Sequence, residues 1–341
     1  MTLTDILITA VNAVMPIILL ILLGYTLKCR GFLSREFLKT GNKLVFNVCL
    51  PCMLFVNVYE IESFAVIAWD IVVYCTAMLL VIFMLGLATT LAVTRVPERR
   101  GVILQCTFRS NFAIIGLSLA GALGGDRAMA VAAIVSAFTV PAFNILAVIA
   151  LSMFVEGDAS GKNSPKKVLL NIVKNPLIIS VVLGLACLGI RAAQEALFGS
   201  VVFRLDTQTK FLYKALTNLQ AIASPFALLV LGGQFEFSAV RGLLKEIVTA
   251  TVWRIVIAPV LGIGGAILVS RMGYLNCGIN EYPALVAMFG SPVAVSSAIM
   301  AGSMGGDEQL ATQLVVWTSL CSIVTIFATV CLLMWMGLLA V

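Results

Sequence analysis

Apolar residues gather along the chain into ten long runs, at roughly 6–27, 43–59, 69–93, 101–122, 127–155, 173–191, 215–233, 247–270, 281–302 and 309–339, separated by short polar stretches. About 20 mostly apolar residues suffice for an α-helix to cross a bilayer. The pattern therefore predicts an all-α polytopic membrane protein with ten transmembrane helices. The second and seventh runs are short and carry Pro51 and Pro225. The first run contains Asp5, has no basic stretch before it and ends at Lys28 and Arg30 without a small-residue cleavage site, so it reads as a retained helix rather than a signal peptide.

The two halves of the pattern resemble each other. Residues 110–130 and 291–311 align without gaps at an offset of 181, and both contain Gly-Gly-Asp at the same distance from a serine (Ser110 and Ser291). Pro16 and Gly24 in the first run match Pro176 and Gly184 in the sixth, and Pro51 has its counterpart in Pro225. The expected division is a first five-helix repeat at 1–155, a cytoplasmic connecting loop at 156–172 and a second five-helix repeat at 173–341. An odd number of helices per repeat makes the repeats inverted, a common build of secondary transporters.

Two runs carry signs of a broken backbone. The ninth contains Gly290-Ser291-Pro292, then Ser296, Ser297, Gly302 and Ser303. Pro292 lacks an N–H and disfavours helical geometry at Ser291, while Gly290 tolerates dihedrals that other residues avoid. The fourth run has the related position at Ser110-Asn111 but no proline there. Non-helical backbone at membrane depth is tolerated only inside protein or beside a water-filled cavity. A break there would expose free N–H groups and the positive end of a helix dipole, which attract an anion. Kinking and close packing of helices explain the same residues equally well.

Composition and charge sharpen this picture. Of the 341 residues, 61% are hydrophobic and 11% charged, and the mean hydropathy is +1.09. Soluble domains are about 45–50% apolar and about 25% charged, so a soluble fold, a disordered chain and a disulfide scaffold are excluded. The net charge of +6 reports topology, not a nucleic-acid partner. With the N-terminus outside, the inside connections hold Lys28, Arg30, Arg35, Lys39, Lys43, Arg95, Arg99, Arg100, Lys162, Lys166, Lys167, Lys174, Arg241 and Lys245; the outside ones hold Arg127, Arg191, Arg204, Lys210, Lys214 and Arg271. The positive-inside rule then places both termini on the non-cytoplasmic side of a multi-pass cell-membrane protein.

Histidine is absent, which excludes His triads, His metal sites and His proton relays. Most of the nine cysteines lie in apolar runs and read as small buried hydrophobes; Cys49 and Cys52 have neither a second pair nor redox surroundings. No metal or organic cofactor is expected. The candidate substrate contacts are Arg109, Ser110, Asn111, Asn144, Ser291, Pro292, Val293 and Ser296. Asn111 offers an amide donor and the serines offer hydroxyls. Arg109 either pairs with a carboxylate or anchors a helix end. Arg254, inside the eighth run, is read as partner to a carbonyl or an acid. Asp70 is either a proton or cation site or an interfacial acid; interhelical hydrogen bonding is the default for Asn47, Asn57 and Asn144.

The stretch Arg109-Ser110-Asn111-Phe112 with Ile115-Gly116-Leu117-Ser118-Leu119 resembles the helix-4 signature of the auxin efflux carrier family, which includes bacterial malonate-carrier-like proteins. Pro292-Val293-Ala294-Val295 with Gly305-Gly306-Asp307-Glu308 resembles its helix-9 region, and Pro225-Phe226-Ala227-Leu228-Leu229 with Gly232 its helix 7. The resemblance implies ten helices, with helices 1, 2, 6 and 7 as scaffold and helices 3–5 and 8–10 as transport domain. It further implies broken, crossing helices 4 and 9, an elevator cycle and a homodimer. It sets Asn111 against a substrate carboxylate, matches Pro292 to the helix-9 crossover proline and Asp70 to a helix-3 support-site acid. Ser110 and Ser118 stand where the pattern often has proline, and the long central loop of many plant members is absent.

The functional expectation is a secondary transporter of a small organic anion, a carboxylate, working in the lipid bilayer by elevator-type alternating access. Coupling to H+ or Na+ and uniport both stay open. A membrane-embedded ligand sensor on the same fold is the alternative; a membrane enzyme lacks any acid pair or nucleophile–base set in the apolar runs.

Overall fold

The structure is a computed structural model that describes residues 3–60, 69–154 and 173–339. The expected connecting loop 156–172 lies outside these residues. Helices account for nearly all of the regular structure: α1 (Leu3–Cys29), α2 (Arg35–Tyr59), α3 (Trp69–Val93), α4 (Pro97–Phe108), α5 (Leu117–Ser152), α6 (Pro176–Phe198), α7 (Lys210–Gln234), α8 (Phe237–Arg271), α9 (Glu281–Leu285), α10 (Ser296–Ser303) and α11 (Glu308–Trp335). Short π turns precede α5 (Phe112–Gly116) and follow α9 (Val286–Gly290).

Among the described residues, seven helices are long and apolar enough to cross a membrane: α2, α3, α5, α6, α7, α8 and α11. The difference from ten apolar runs has a local cause. The fourth and ninth runs are each cut in two, leaving α4, α9 and α10 too short, and α1 contributes an apolar segment at Val14–Cys29. The second run also starts earlier than its hydropathy suggests. Ser34 caps α2, its hydroxyl accepting from the Phe37 N–H at 3.1 Å, so the polar residues 35–43 are already helical. No loop separates the fourth run from the fifth: the chain turns within α5 at Gly125, whose φ of 67° lies in the left-handed region that glycine tolerates.

Many large apolar side chains are exposed around the outside, among them Leu19, Leu22, Val73, Met84, Val260 and Val324. An apolar surface this extensive suits lipid tails rather than water. Inside, α1 packs on α7 and α2 on α6. The first pair touches backbone to backbone. A methyl group on Gly24 would collide with the Leu229 carbonyl, and one on Gly232 with the Ile21 carbonyl. Small residues that admit such close approach hold helices together in a bilayer, where hydrophobic burial gives no drive. Gly232→Ala should force the two helices apart at an overpacking cost of about 1–3 kcal/mol, read as a lower Tm of the purified protein; an unchanged Tm would show that the helices separate freely.

On the other flank, Tyr74 of α3 donates to the Gly262 carbonyl of α8 at 2.6 Å, and the Trp253 indole donates to Thr89 at 3.1 Å. Arg99 of α4 joins Glu246 of α8 and the N-cap Asp307 of α11, at 2.9 and 3.1 Å. These polar ties fix the mutual positions of the helices that carry the two breaks.

Candidate functional site: the crossing of two interrupted helices

Helix α4 ends at Phe108, and Arg109 is extended (φ −84°, ψ 108°). The second interruption starts at Ser291, also extended (φ −65°, ψ 148°), and helical geometry resumes at Ser296. The two extended pieces lie side by side. Asn111 N–H donates to the Pro292 carbonyl at 2.8 Å, Ala294 N–H donates to the Arg109 carbonyl at 3.4 Å, and Ser110 and Val293 form an antiparallel bridge. Each break thus supplies hydrogen-bond partners to the other, as backbone at this depth requires. Val293 N–H also donates to the Thr318 hydroxyl of α11 at 3.2 Å.

The pairing explains why the first interruption forms without a proline: its extended backbone is stabilised by a neighbouring strand segment rather than by a missing donor. Gly290 plays a smaller part than its sequence position suggests. It does not adopt a positive φ, and a Cβ there would make only ordinary contacts. Pro292, and the extended geometry of Ser291 before it, account for the second break.

Arg254 completes the carbonyl side. It is 1% exposed, and its guanidinium donates to the carbonyls of Phe289 at 2.6 Å, Ser291 at 3.0 Å, Met288 at 3.2 Å and Thr107 at 3.5 Å. These acceptors belong to the C-terminal ends of both interrupted helices, where the dipole is negative and carbonyls lack helical partners. Of the two readings the sequence allowed, partner to carbonyls is the one realised.

The opposite side of the crossing carries the other arginine. Arg109 is 2% exposed; its guanidinium donates to Asn144 Oδ1 and Ser296 Oγ, both at 2.7 Å, and more weakly to Gln105 Oε1 at 3.5 Å, with Met300 Sδ in contact. All of these partners are neutral, and no ion pair to Arg109 or Arg254 occurs among the described residues. Beside it, the Asn111 amide nitrogen and the Ser110 hydroxyl are buried without a hydrogen-bond partner. The N-terminal ends of the π turn at Phe112 and of α10 at Ser296 begin here.

Arg109, Ser110, Asn111, Asn144 and Ser296 line one cavity of about 40 Å³. Its far wall comes from other helices: Leu50, Met53 and Leu54 of α2 and Ser224 and Ala227 of α7. Val140 and Phe143 of α5 close it laterally. Of the residues singled out in the sequence, Ser291, Pro292 and Val293 build the crossing but do not line the cavity; the Ser291 hydroxyl is turned to the Ala287 carbonyl at 2.6 Å. Asp70 is exposed at the start of α3, outside the lining, and its oxygens accept from the N–H groups of Ile71 at 2.9 Å and Asn276 at 3.4 Å. The apolar wall from α2 has no sequence signal, because Leu and Met in an apolar run look alike whether they face lipid or a cavity.

A second, wider cavity of about 690 Å³ opens between α1, α2 and α7 on one side and α10 and α11 on the other; Lys28, Arg35, Lys39 and Lys43 line it. These are four of the basic residues that the sequence reading assigned to inside connections, and Glu236 and Glu308 line the same cavity.

A buried arginine with neutral partners, unpaired donors beside it and two helix N-termini thus meet at one place inside a helical membrane protein. A family model described as "Membrane transport protein" matches residues 9–330. The chain belongs to this family. It is the family, auxin efflux carriers included, to which the motifs around Asn111 and Pro292 pointed. A relative described as an uncharacterized transporter, from Methanocaldococcus jannaschii, is 22% identical over 252 residues, covering 73% of this chain and 76% of its own. Family and relative are both described as transporters, and the chain is a multi-span membrane protein of that kind.

Proposed function

We propose that this membrane transport protein is a secondary carrier of a small organic anion, a carboxylate, bound at the crossing of the two interrupted helices. The observation that carries this reading is Arg109, buried in a cavity wall with neutral partners only. Burying an isolated charge is costly; an incoming carboxylate would supply the missing counter-charge, with the Asn111 amide as a further donor.

In this reading the ten apolar runs are ten crossings arranged as two inverted repeats, the related breaks at Ser110 and Ser291 being the repeated feature. Helices α1, α2, α6 and α7 act as scaffold, and the remainder carries the site in an elevator motion. The cavity's make-up supports such a division, since α2 and α7 form one wall and the crossing forms the other. The wider cavity, where Lys28, Arg35, Lys39 and Lys43 outnumber Glu236 and Glu308, would gather anions on the cytoplasmic side. A homodimer with both termini on the non-cytoplasmic side completes the proposal. A cysteine added at the C-terminus should then react with an impermeant reagent from that side; labelling from the cytoplasm alone would overturn the ten-helix arrangement.

The experiment for the function itself is counterflow. Purified protein in liposomes preloaded with a carboxylate should accumulate the labelled acid transiently against its gradient. Binding without counterflow would instead make the protein a sensor on a carrier fold.

A further inference from the structure

The wider cavity and the cavity at the crossing are built on the same three helices. Helix α2 gives Asn42 to the first and Leu50, Met53 and Leu54 to the second; α7 gives Gln234 and then Ala227 and Ser224; α10 gives Ser303 and then Ser296. At about 1.5 Å per residue the two sets stand roughly 10–18 Å apart along each helix. The wider cavity therefore leads toward the site, and whatever ties these helices together along it controls the way in. Asn42, 5% exposed, donates through its amide nitrogen to the Ile299 carbonyl and the Ser303 hydroxyl of α10, both at a long 3.5 Å. The Gln234 amide donates to the Glu308 carboxylate of α11 at 2.5 Å. Gln309 and Gln313, four apart and so on one face of α11, donate to the carbonyls of Gln234 at 3.2 Å and Glu236 at 2.8 Å, which lie at the end of α7, where carbonyls lack helical donors. Gly302 makes room for the cluster: a methyl group there would collide with Glu308 and Asn42.

These ties differ in kind from those within each group of helices. There, α1 meets α7 backbone to backbone at Gly24 and Gly232, Arg99 makes two ion pairs, and Arg254 spans four carbonyls. Among the described residues, every side-chain donor hydrogen-bonded across from α2 and α7 to α10 and α11 is a neutral amide. Trading one such hydrogen bond for water changes the free energy little, and a cavity of this width admits the water that takes its place. Asn42 Oδ1 and Gln309 Oε1 are buried with no partner, so the contact stays below its hydrogen-bonding capacity. Such a seam can hold and still release. We propose, on the carrier reading above, that Asn42, Gln234, Gln309 and Gln313 are the gate between the site and the wider cavity. Their amides clasp α10 and α11 to the scaffold helices while the site is closed, and let go when it opens to that cavity.

The first test needs no substrate. Ser224→Cys places a thiol in the wall of the crossing cavity, and its reaction with N-ethylmaleimide, located by peptide mass spectrometry among the native cysteines, reports opening. Adding Gln309→Ala and Gln313→Ala removes two hydrogen bonds of the clasp and should speed that reaction about tenfold, while the buried Cys75 stays unlabelled. An unchanged rate would overturn the gate, and so would equal labelling of Cys75, which marks a loosened fold. The second test closes the seam covalently. Asn42→Cys with Ser303→Cys should form a bond between α2 and α10 on oxidation, stop counterflow of a carboxylate in proteoliposomes and regain it in dithiothreitol, with wild type treated alike still transporting. Counterflow that persists across the formed bond, or a pair that fails to bond, would sink the proposal. If wild type shows no counterflow with any carboxylate tried, the carrier reading falls, and the labelling rate decides the gate alone.

Discussion

Arg254→Leu is expected to destabilise the protein more than any other single change in the crossing. The guanidinium donates to four backbone carbonyls, of Thr107, Met288, Phe289 and Ser291, that terminate two different helices. A buried acceptor left without a partner costs about 1–3 kcal/mol, so losing the guanidinium costs several kcal/mol before any repacking. One effect opposes this: leucine removes a buried charge, and apolar replacements of buried ionic groups are at times neutral or stabilising. That compensation arises when both partners of a pair are replaced. Here the carbonyls stay behind at the negative ends of two helix dipoles, and their number decides the balance. Thermal unfolding followed by tryptophan fluorescence should show a Tm lowered on the order of 10 °C. Arg254→Lys should recover only part of the loss, because a compact ammonium cannot present a planar fork to carbonyls on both helices. An Arg254→Leu protein as stable as wild type would mean that the two helix ends are satisfied by other means.

The role of Arg254 also shows where a sequence stops being informative. Apolar runs and the short polar stretches between them are dictated by the bilayer, and the segments around them are legible for that reason. Pro292 is legible too, because a missing N–H is a property of the residue itself. The interruption at Ser110-Asn111 has no such local cause. It is legible only through its likeness to the second half and to a family signature, and the structure supplies the reason: its backbone pairs with Pro292 and Ala294, more than 180 positions away. Arg254 faces the same difficulty. An arginine in an apolar run signals that a partner exists, but four carbonyls from two helices become one partner only after folding. Ser291 and Ser296 look alike in the sequence, yet one hydroxyl closes on its own helix at Ala287 while the other accepts from Arg109. Asn144, expected to make an ordinary interhelical hydrogen bond, does so, but to the arginine that gives the cavity its charge.

Asn111 carries the largest expected effect on binding. Its amide nitrogen is buried, unpartnered and part of the cavity wall beside Arg109. Its backbone N–H is occupied by the Pro292 carbonyl, so the side chain can be changed without removing the hydrogen bond that holds the crossing together. Hydrogen bonds to charged groups contribute about 1.5–3 kcal/mol, so Asn111→Ala should weaken binding of a carboxylate by roughly 10–150-fold, with expression and Tm little changed. Removing a donor that has no partner in the empty protein leaves no acceptor stranded, which is why stability and binding separate at this position. Asn111→Asp should be worse for binding. It is nearly the same size, but it brings an acceptor-only group and a negative charge next to Arg109. That carboxylate would occupy the guanidinium as a built-in counter-ion and compete with the substrate from within the site. The same pairing should stabilise the empty protein, so Asn111→Asp is expected to raise Tm while abolishing carboxylate binding. Calorimetry and thermal unfolding on the two variants check both effects. Wild-type binding by Asn111→Ala would reduce Asn111 to a packing residue, and tighter binding by Asn111→Asp would mean that the substrate is not an anion.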